Sequence, residues 1–272
     1  MFIQKLKHLW KKNQSLLCVG LDPDLNKIPN YLKSLPDSIF QFNKIIIDQT
    51  SDLVCSYKPQ MAYYSGQNIE EQLHLTIDYL KKYYPEIPII LDSKRADIGP
   101  TAAMYAKESF ECYRADAVTV NPYMGSDTIQ AFTEYKDKGV IILCKTSNPG
   151  SMDFQNLVIG EKKLFELVAE KAVGDWNANN NILLVVGATY PNELRQIRKI
   201  VNEIPLLIPG IGAQGGDLQA VLESGLDSNK QGVLINISRA INYVSVEKDF
   251  PEKVRTVTKN YFNQINDIRS HL

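Results

Sequence analysis

Histidine is nearly absent from this chain, with 3 residues in 272, and no two cysteines form a CxxC pair. A histidine-rich metal centre, a zinc ribbon and a thioredoxin-like redox motif are therefore excluded as organising features. The 4 cysteines, at positions 18, 55, 112 and 144, are far apart and mostly sit inside apolar runs such as LLCVG and VIILC. They read as buried, reduced thiols of a cytoplasmic protein. No run of 18 apolar residues occurs, so no membrane span is expected. Excess charge of either sign is missing too. The net charge is −1, whereas binding to a nucleic-acid backbone needs a basic surplus. Any phosphate recognition must be local. The first residues, MFIQKLKHLWKKNQ, pattern as a short amphipathic helix and lack the apolar core and cleavage site of a secretory signal. No Ser- or Pro-rich linker interrupts the chain, and residues 1–272 read as one domain without room for a second catalytic one.

What the chain does have is rhythm. Eight short apolar segments recur: LLCVG (16–20), LVCSYK (53–58), IPIILD (87–92), DAVTV (116–120), GVIILC (139–144), ILLVVG (182–187), PLLIPG (205–210) and GVLINI (232–237). Each has the length and β-branched content of a strand buried on both faces. Between them lie helically spaced stretches such as IEEQLHLTIDYLKKYY, GEKKLFELVAEKAV and PNELRQIRKIVNEI. Strand and helix in alternation imply parallel pairing through crossovers, and eight such units in about 250 residues predict a closed (β/α)₈ TIM barrel. An open doubly wound sheet with one strand miscounted is the competing architecture. The stretch SNPGSMDFQN reads as an extended loop over the barrel mouth.

Active sites in such barrels lie at the C-terminal ends of the strands. Polar residues follow nearly every apolar run: Asp22 after the first, Lys58 after the second, DSKRAD after the third, KTSNPG after the fifth, PGIGAQGGD after the seventh and NISRA after the eighth. Asp92 and Lys94, two apart on an extended segment, are predicted to share the interior face, with Lys58 bracketing Asp92 from the next strand. A rim salt bridge is one reading of this triplet; a built set of opposed charges is the other. Asp97 falls after the turn, just before a helix with Pro100 in its first turn. From spacing alone its own barrel mouth and a neighbouring subunit's site both stay open. Glycines 210, 212, 215 and 216, with Gln214 and Arg239, suit an anion held by backbone N–H groups and a guanidinium, although a turn beside an unrelated arginine fits as well. GIGAQG matches G-x-G-x-x-G but opens too late in the chain for a dinucleotide site. Histidines 8, 74 and 271 read as packing or surface residues, and Tyr123 as a residue bordering the mouth at most.

The block DSKRADIGPT, with Lys58 upstream and GIGAQGGD and SRA downstream, resembles orotidine 5′-phosphate decarboxylase. GLDPD, YKPQMAYY, TVNPYMGSD, KTSNPGS and VVGAT are similar to the longer bacterial (type 2) branch of that family, in the same order and from about residue 18 to 240. The resemblance implies a homodimeric barrel that converts orotidine 5′-phosphate to uridine 5′-phosphate (UMP), the last step of de novo pyrimidine nucleotide synthesis, without metal or organic cofactor. It implies Lys94 as the proton donor to C6, Asp92 beside the substrate carboxylate, and Asp22 and Lys58 on the ribose hydroxyls, with Lys58 also in the charged row. Asp97, Ile98 and Thr101 would serve the partner subunit's site, Ser147 would meet the pyrimidine, and Gln214 and Arg239 would hold the 5′-phosphate. The chain departs from some relatives in Ser238 and Ala96, where they carry glycine. Three rivals remain: a relative acting on a keto-sugar phosphate with Mg²⁺, a Schiff-base aldolase using Lys94 or Lys145, and a catalytically silent nucleotide-binding barrel.

Overall fold

All eight apolar segments form strands in the computed structural model, which describes residues 1–212 and 215–272. In chain order the barrel strands are β1 (Leu17–Leu21), β2 (Ser56–Pro59), β3 (Ile90–Arg95), β4 (Ala117–Val120), β5 (Gly139–Lys145), β6 (Ile182–Val186), β7 (Leu206–Pro209) and β8 (Val233–Ile237). Every neighbouring pair is parallel, running β2-β1-β8-β7-β6-β5-β4-β3. Two further parallel bridges, Tyr57 to Ile89 and Gln60 to Asp92, join β2 to β3 and close the ring. That seam is thin because Pro59 and Pro88 beside it have no N–H to offer a ladder.

Most strand residues are fully buried, since the barrel interior packs one face and the crossover helices cover the other. Helices occur where the 3.6-residue spacing predicts them, at Glu70–Tyr83, Leu164–Val173 and Pro191–Val201. The amphipathic start is the helix Phe2–Lys12, whose Phe2, Leu6, Leu9 and Trp10 are buried. Phe2 lies against Gly139, the first residue of β5, so this helix covers the N-terminal end of the barrel, opposite the strand exits.

Two details differ from the sequence reading. Of the cysteines, 18, 55 and 144 are buried, but Cys112 is exposed because it ends a π-helical turn, Glu108–Cys112, on the surface. The stretch after β5 is more structured than a plain loop: a 3₁₀ turn at Pro149–Met152 leads into a two-stranded antiparallel hairpin, Val158–Ile159 with Lys162–Lys163. That hairpin takes the first residues of GEKKLFELVAEKAV, which is why the helix begins only at Leu164. Among the described residues no helix is long and apolar enough to cross a membrane.

Candidate active site

The charged row does not follow the end of β3; it is part of it. β3 runs through Arg95, and its pairing with β4 slips: Leu91 faces Val118 while Arg95 faces Val120. Residues 92–94 are thus bulged, and Lys94 adopts φ +48°, the left-handed region that costs a residue with a Cβ about 1 kcal/mol. Asp92 and Lys94 do meet, as their spacing predicts. The means is a bulge that turns the lysine back onto the aspartate, not a flat pleat.

Asp92 is the hub. Its Oδ2 accepts from Lys58 Nζ at 2.8 Å and its Oδ1 from Lys94 Nζ at 2.6 Å. Thr119 Oγ1 donates to the same Oδ1 at 2.8 Å. Burial by itself would push the Asp92 carboxyl up, but the Lys58 and Lys94 ammonium groups outweigh it and hold the acid well below the usual carboxylate range. Burial would likewise lower Lys58, yet Asp92 and then Asp22 raise it above the ordinary lysine value. Both groups are therefore ionised at neutral pH despite side-chain exposures of 5% and 9%. Lys94 is different: its side chain is 45% exposed, and it reaches Asp92 from outside the set of residues that line the cavity at the strand exits. The fourth charge of the cluster, Arg95, faces away. It makes a bidentate pair with Glu108, at 3.0 and 2.9 Å, with its guanidinium over the Tyr105 ring.

A cavity of about 370 Å³ opens at the C-terminal ends of the strands, lined by Asp22, Lys58, Tyr63, Asp92, Asn236 and Arg239 among others. Asp22 leaves β1, where the Tyr243 and Tyr64 hydroxyls donate to the backbone oxygens of Asp22 and Leu21. Its Oδ2 accepts from Ser238 Oγ, while its buried Oδ1 has no partner among the described residues. Arg239 opens the short helix Arg239–Asn242 after β8 and has no carboxylate partner among the described residues. Gly210 and Gly216 close the loop after β7 on itself, Gly216 N donating to Gly210 O at 3.2 Å. A Cβ on Gly216 would lie 2.7 Å from that of Ala188, so the turn needs glycine there. Gln214 lies outside the described residues.

Ser147 follows β5 and is packed closely against β6: a Cβ on Gly187 would sit 2.6 Å from both Ser147 N and Cα. Thr189 Oγ1 donates to Ser147 O at 3.1 Å and holds it from the other side. Ser147, Asp97, Ile98 and Thr101 are not among the residues that line this cavity. Ile98 and Thr101 are exposed at the start of the helix Gly99–Lys107, and Asp97 Oδ1 accepts from Ile98 N at 2.8 Å. Among the described residues no three His, Cys, Asp or Glu side chains group as a metal site. Thr119, Asn236, Tyr63 and Gln60 escaped the sequence reading. The first two alternate inward on otherwise apolar strands, which was the available signal; Tyr63 sits in an aromatic run that reads as packing.

The fold and this geometry have counterparts among known proteins. Two bacterial proteins named orotidine 5′-phosphate decarboxylase are similar over their full length. The Cellvibrio japonicus protein is 51% identical over 99% of both chains, and that of Dechloromonas aromatica 52% identical over 97% of this chain and 98% of its own. Among solved structures, Leishmania donovani OMP decarboxylase superposes with a TM-score of 0.85 at 39% identity, covering 98% of each chain. Leishmania donovani UMP synthase superposes with a TM-score of 0.87 at 40% identity, covering 98% of this chain, which spans 56% of that one. The family model described as orotidine 5′-phosphate decarboxylase / HUMPS matches residues 15–244, a span that takes in all eight barrel strands and the whole charged row, and the chain belongs to that family.

Proposed function

We propose that this protein decarboxylates orotidine 5′-phosphate to UMP, with Lys94 as the proton donor and without a cofactor. The observation that carries this reading is the row Lys58–Asp92–Lys94, in which Lys58 and Asp92 line a cavity together with Arg239 and Lys94 pairs with Asp92 from beside it. Cleavage of the bond from C6 to the carboxylate releases CO₂ and leaves the electron pair on C6. An ammonium group fixed beside that carbon stabilises the developing charge in place and then supplies its proton. The C6–H bond forms as an Nζ–H bond breaks, and the neutral amine regains its proton from water. Asp92 holds that ammonium in line; Lys58 neutralises Asp92 from the buried side.

The remaining assignments follow the same reading. Asp22, with Oδ1 unpartnered among the described residues, accepts from a ribose hydroxyl, with Lys58 next to it. Ser147 meets the pyrimidine, and Gln214 and Arg239 grip the 5′-phosphate. That grip supplies binding energy remote from the reacting carbon. Asp97, Ile98 and Thr101 serve the partner subunit's site in a homodimer; the exposure of Ile98 and Thr101 supports this. Residues 1–272 act as one domain, an assignment supported by the shared core of Phe2, Trp10, Phe250 and Ile265 with the barrel strands. The free thiols suit the reducing cytoplasm.

The test is to mix the protein with orotidine 5′-phosphate and follow the pyrimidine absorbance, with and without EDTA. Conversion that is unaffected by EDTA is expected. No conversion, or loss of activity on chelation, contradicts the reading and favours a metal-dependent relative acting on a keto-sugar phosphate. Borohydride trapping of substrate on Lys94 or Lys145 would favour the aldolase.

A further inference from the structure

The bulge that turns Lys94 onto Asp92 is unfavourable in isolation, and something must hold it. Lys94 is in the left-handed region, and Ser93 Oγ beside it is buried with no hydrogen-bond partner among the described residues. The slipped register leaves Thr119, between Val118 and Val120 on β4, facing the extra residues of β3. Thr119 is 1% exposed, and its hydroxyl makes two contacts at once. It accepts from the Lys94 backbone N–H at 2.9 Å and donates to Asp92 Oδ1 at 2.8 Å. One hydroxyl therefore ties the backbone of the lysine to the carboxylate that its own ammonium grips. A hydroxyl is suited to both duties, since it has one donor and two acceptor lone pairs.

We propose that Thr119 is a positioning residue for the decarboxylation, locking the left-handed turn at Lys94 so that its ammonium stays aligned on Asp92. The inference rests on the reading of Lys94 as proton donor. Thr119 acts on the reaction through Lys94 and Asp92. Valine has nearly the same shape, keeps the β-branch of the strand and removes both contacts. The Lys94 N–H then loses its acceptor, and nothing on β4 opposes relaxation of residues 92–94 toward ordinary extended backbone.

The experiment compares wild type, Thr119→Val and Thr119→Ser for kcat and KM on orotidine 5′-phosphate. It also follows solvent deuterium entering C6 of UMP and amide hydrogen exchange at Lys94. In Thr119→Val, kcat and the deuterium entry are expected to fall about 10- to 100-fold, the scale set by losing two buried hydrogen bonds at a charged group. KM should stay within about threefold, because phosphate and ribose contacts are untouched. Exchange at the Lys94 amide should quicken, and Thr119→Ser, which keeps the hydroxyl, should restore all three. If the valine protein does not fold, Thr119→Ala with the same serine control gives the comparison. Turnover within about twofold of wild type in a folded Thr119→Val protein overturns the proposal. So does a loss that serine does not rescue. A wild-type protein that releases no CO₂ overturns the underlying reading and this one with it; an active wild type with an unimpaired valine variant overturns this one alone.

Discussion

Removing the Lys58 ammonium tests the buried half of the charged row, independently of any substrate. In Lys58→Met the Asp92 Oδ2 loses its 2.8 Å partner, while Oδ1 keeps Lys94 and Thr119. Breaking a buried pair from one side usually costs 3–5 kcal/mol, and the two surviving donors place this case near the lower end, about 3 kcal/mol. At this chain length that corresponds to a fall in melting temperature of about 6 °C. Asp92→Asn leaves Lys58 near Asp22, a second acid that stabilises it, so its cost is smaller, about 2 kcal/mol.

The double variant decides the matter. With both charges removed neither member of the pair is left buried without the other, and Lys94, 45% exposed, can turn to water. The double variant should therefore be about as stable as Lys58→Met alone, a coupling of about 2 kcal/mol. The assay is thermal and urea unfolding of the four proteins at neutral pH and fixed scan rate. Additivity of the two single losses to within about 0.5 kcal/mol would refute the claim that the pair is buried and mutually dependent.

Three further outcomes are expected. Arg198 donates to the backbone oxygens of Gly225, Asn202, Ile204 and Gly232 at 2.5–2.8 Å, and its burial lowers its pKa to about 10. Arg198→Met should cost about 3 kcal/mol in urea unfolding yet leave kcat unchanged, because these carbonyls lie away from the strand exits. Gly187→Ala brings a Cβ to 2.6 Å from Ser147 N and Cα, so it should raise KM and lower stability by about 2 kcal/mol, read by steady-state kinetics and melting. The Asp92 carboxyl is held below its unfolded value of about 4, so its contribution is present above about pH 4 and is lost as pH falls toward the folded value. The opposite limb belongs to Lys58, whose contribution is full below about pH 10 and is lost as pH rises through its raised value. Acid unfolding titrations should show the first loss in wild type and a shallower one in Asp92→Asn.

The barrel was readable because strands covered on both faces must be continuously apolar, and all eight such runs stand out between helical stretches. The cavity was readable where polar residues directly follow those runs, as with Asp22 and Arg239, which both line it. Where side-chain direction depends on a local irregularity, the pattern failed. Nothing in DSKRAD signals a bulge, since a left-handed lysine is set by its partner strand and not by its own preference. Thr119 looked like an ordinary β-former, because only the slipped register brings its hydroxyl under Lys94. Arg95 reads as part of the charged row, but its pairing with Glu108 depends on where the next helix lands. Cys112 looked buried by analogy with the other three, whereas the turn at its helix end puts it on the surface.

Single-turnover decarboxylation of orotidine 5′-phosphate by Lys94→Ala is the most direct test of the central claim. The account requires the rate to fall by about 10⁴-fold or more, since both charge stabilisation and proton delivery are lost, while circular dichroism stays native. A folded Lys94→Ala protein working within about tenfold of wild type would contradict it.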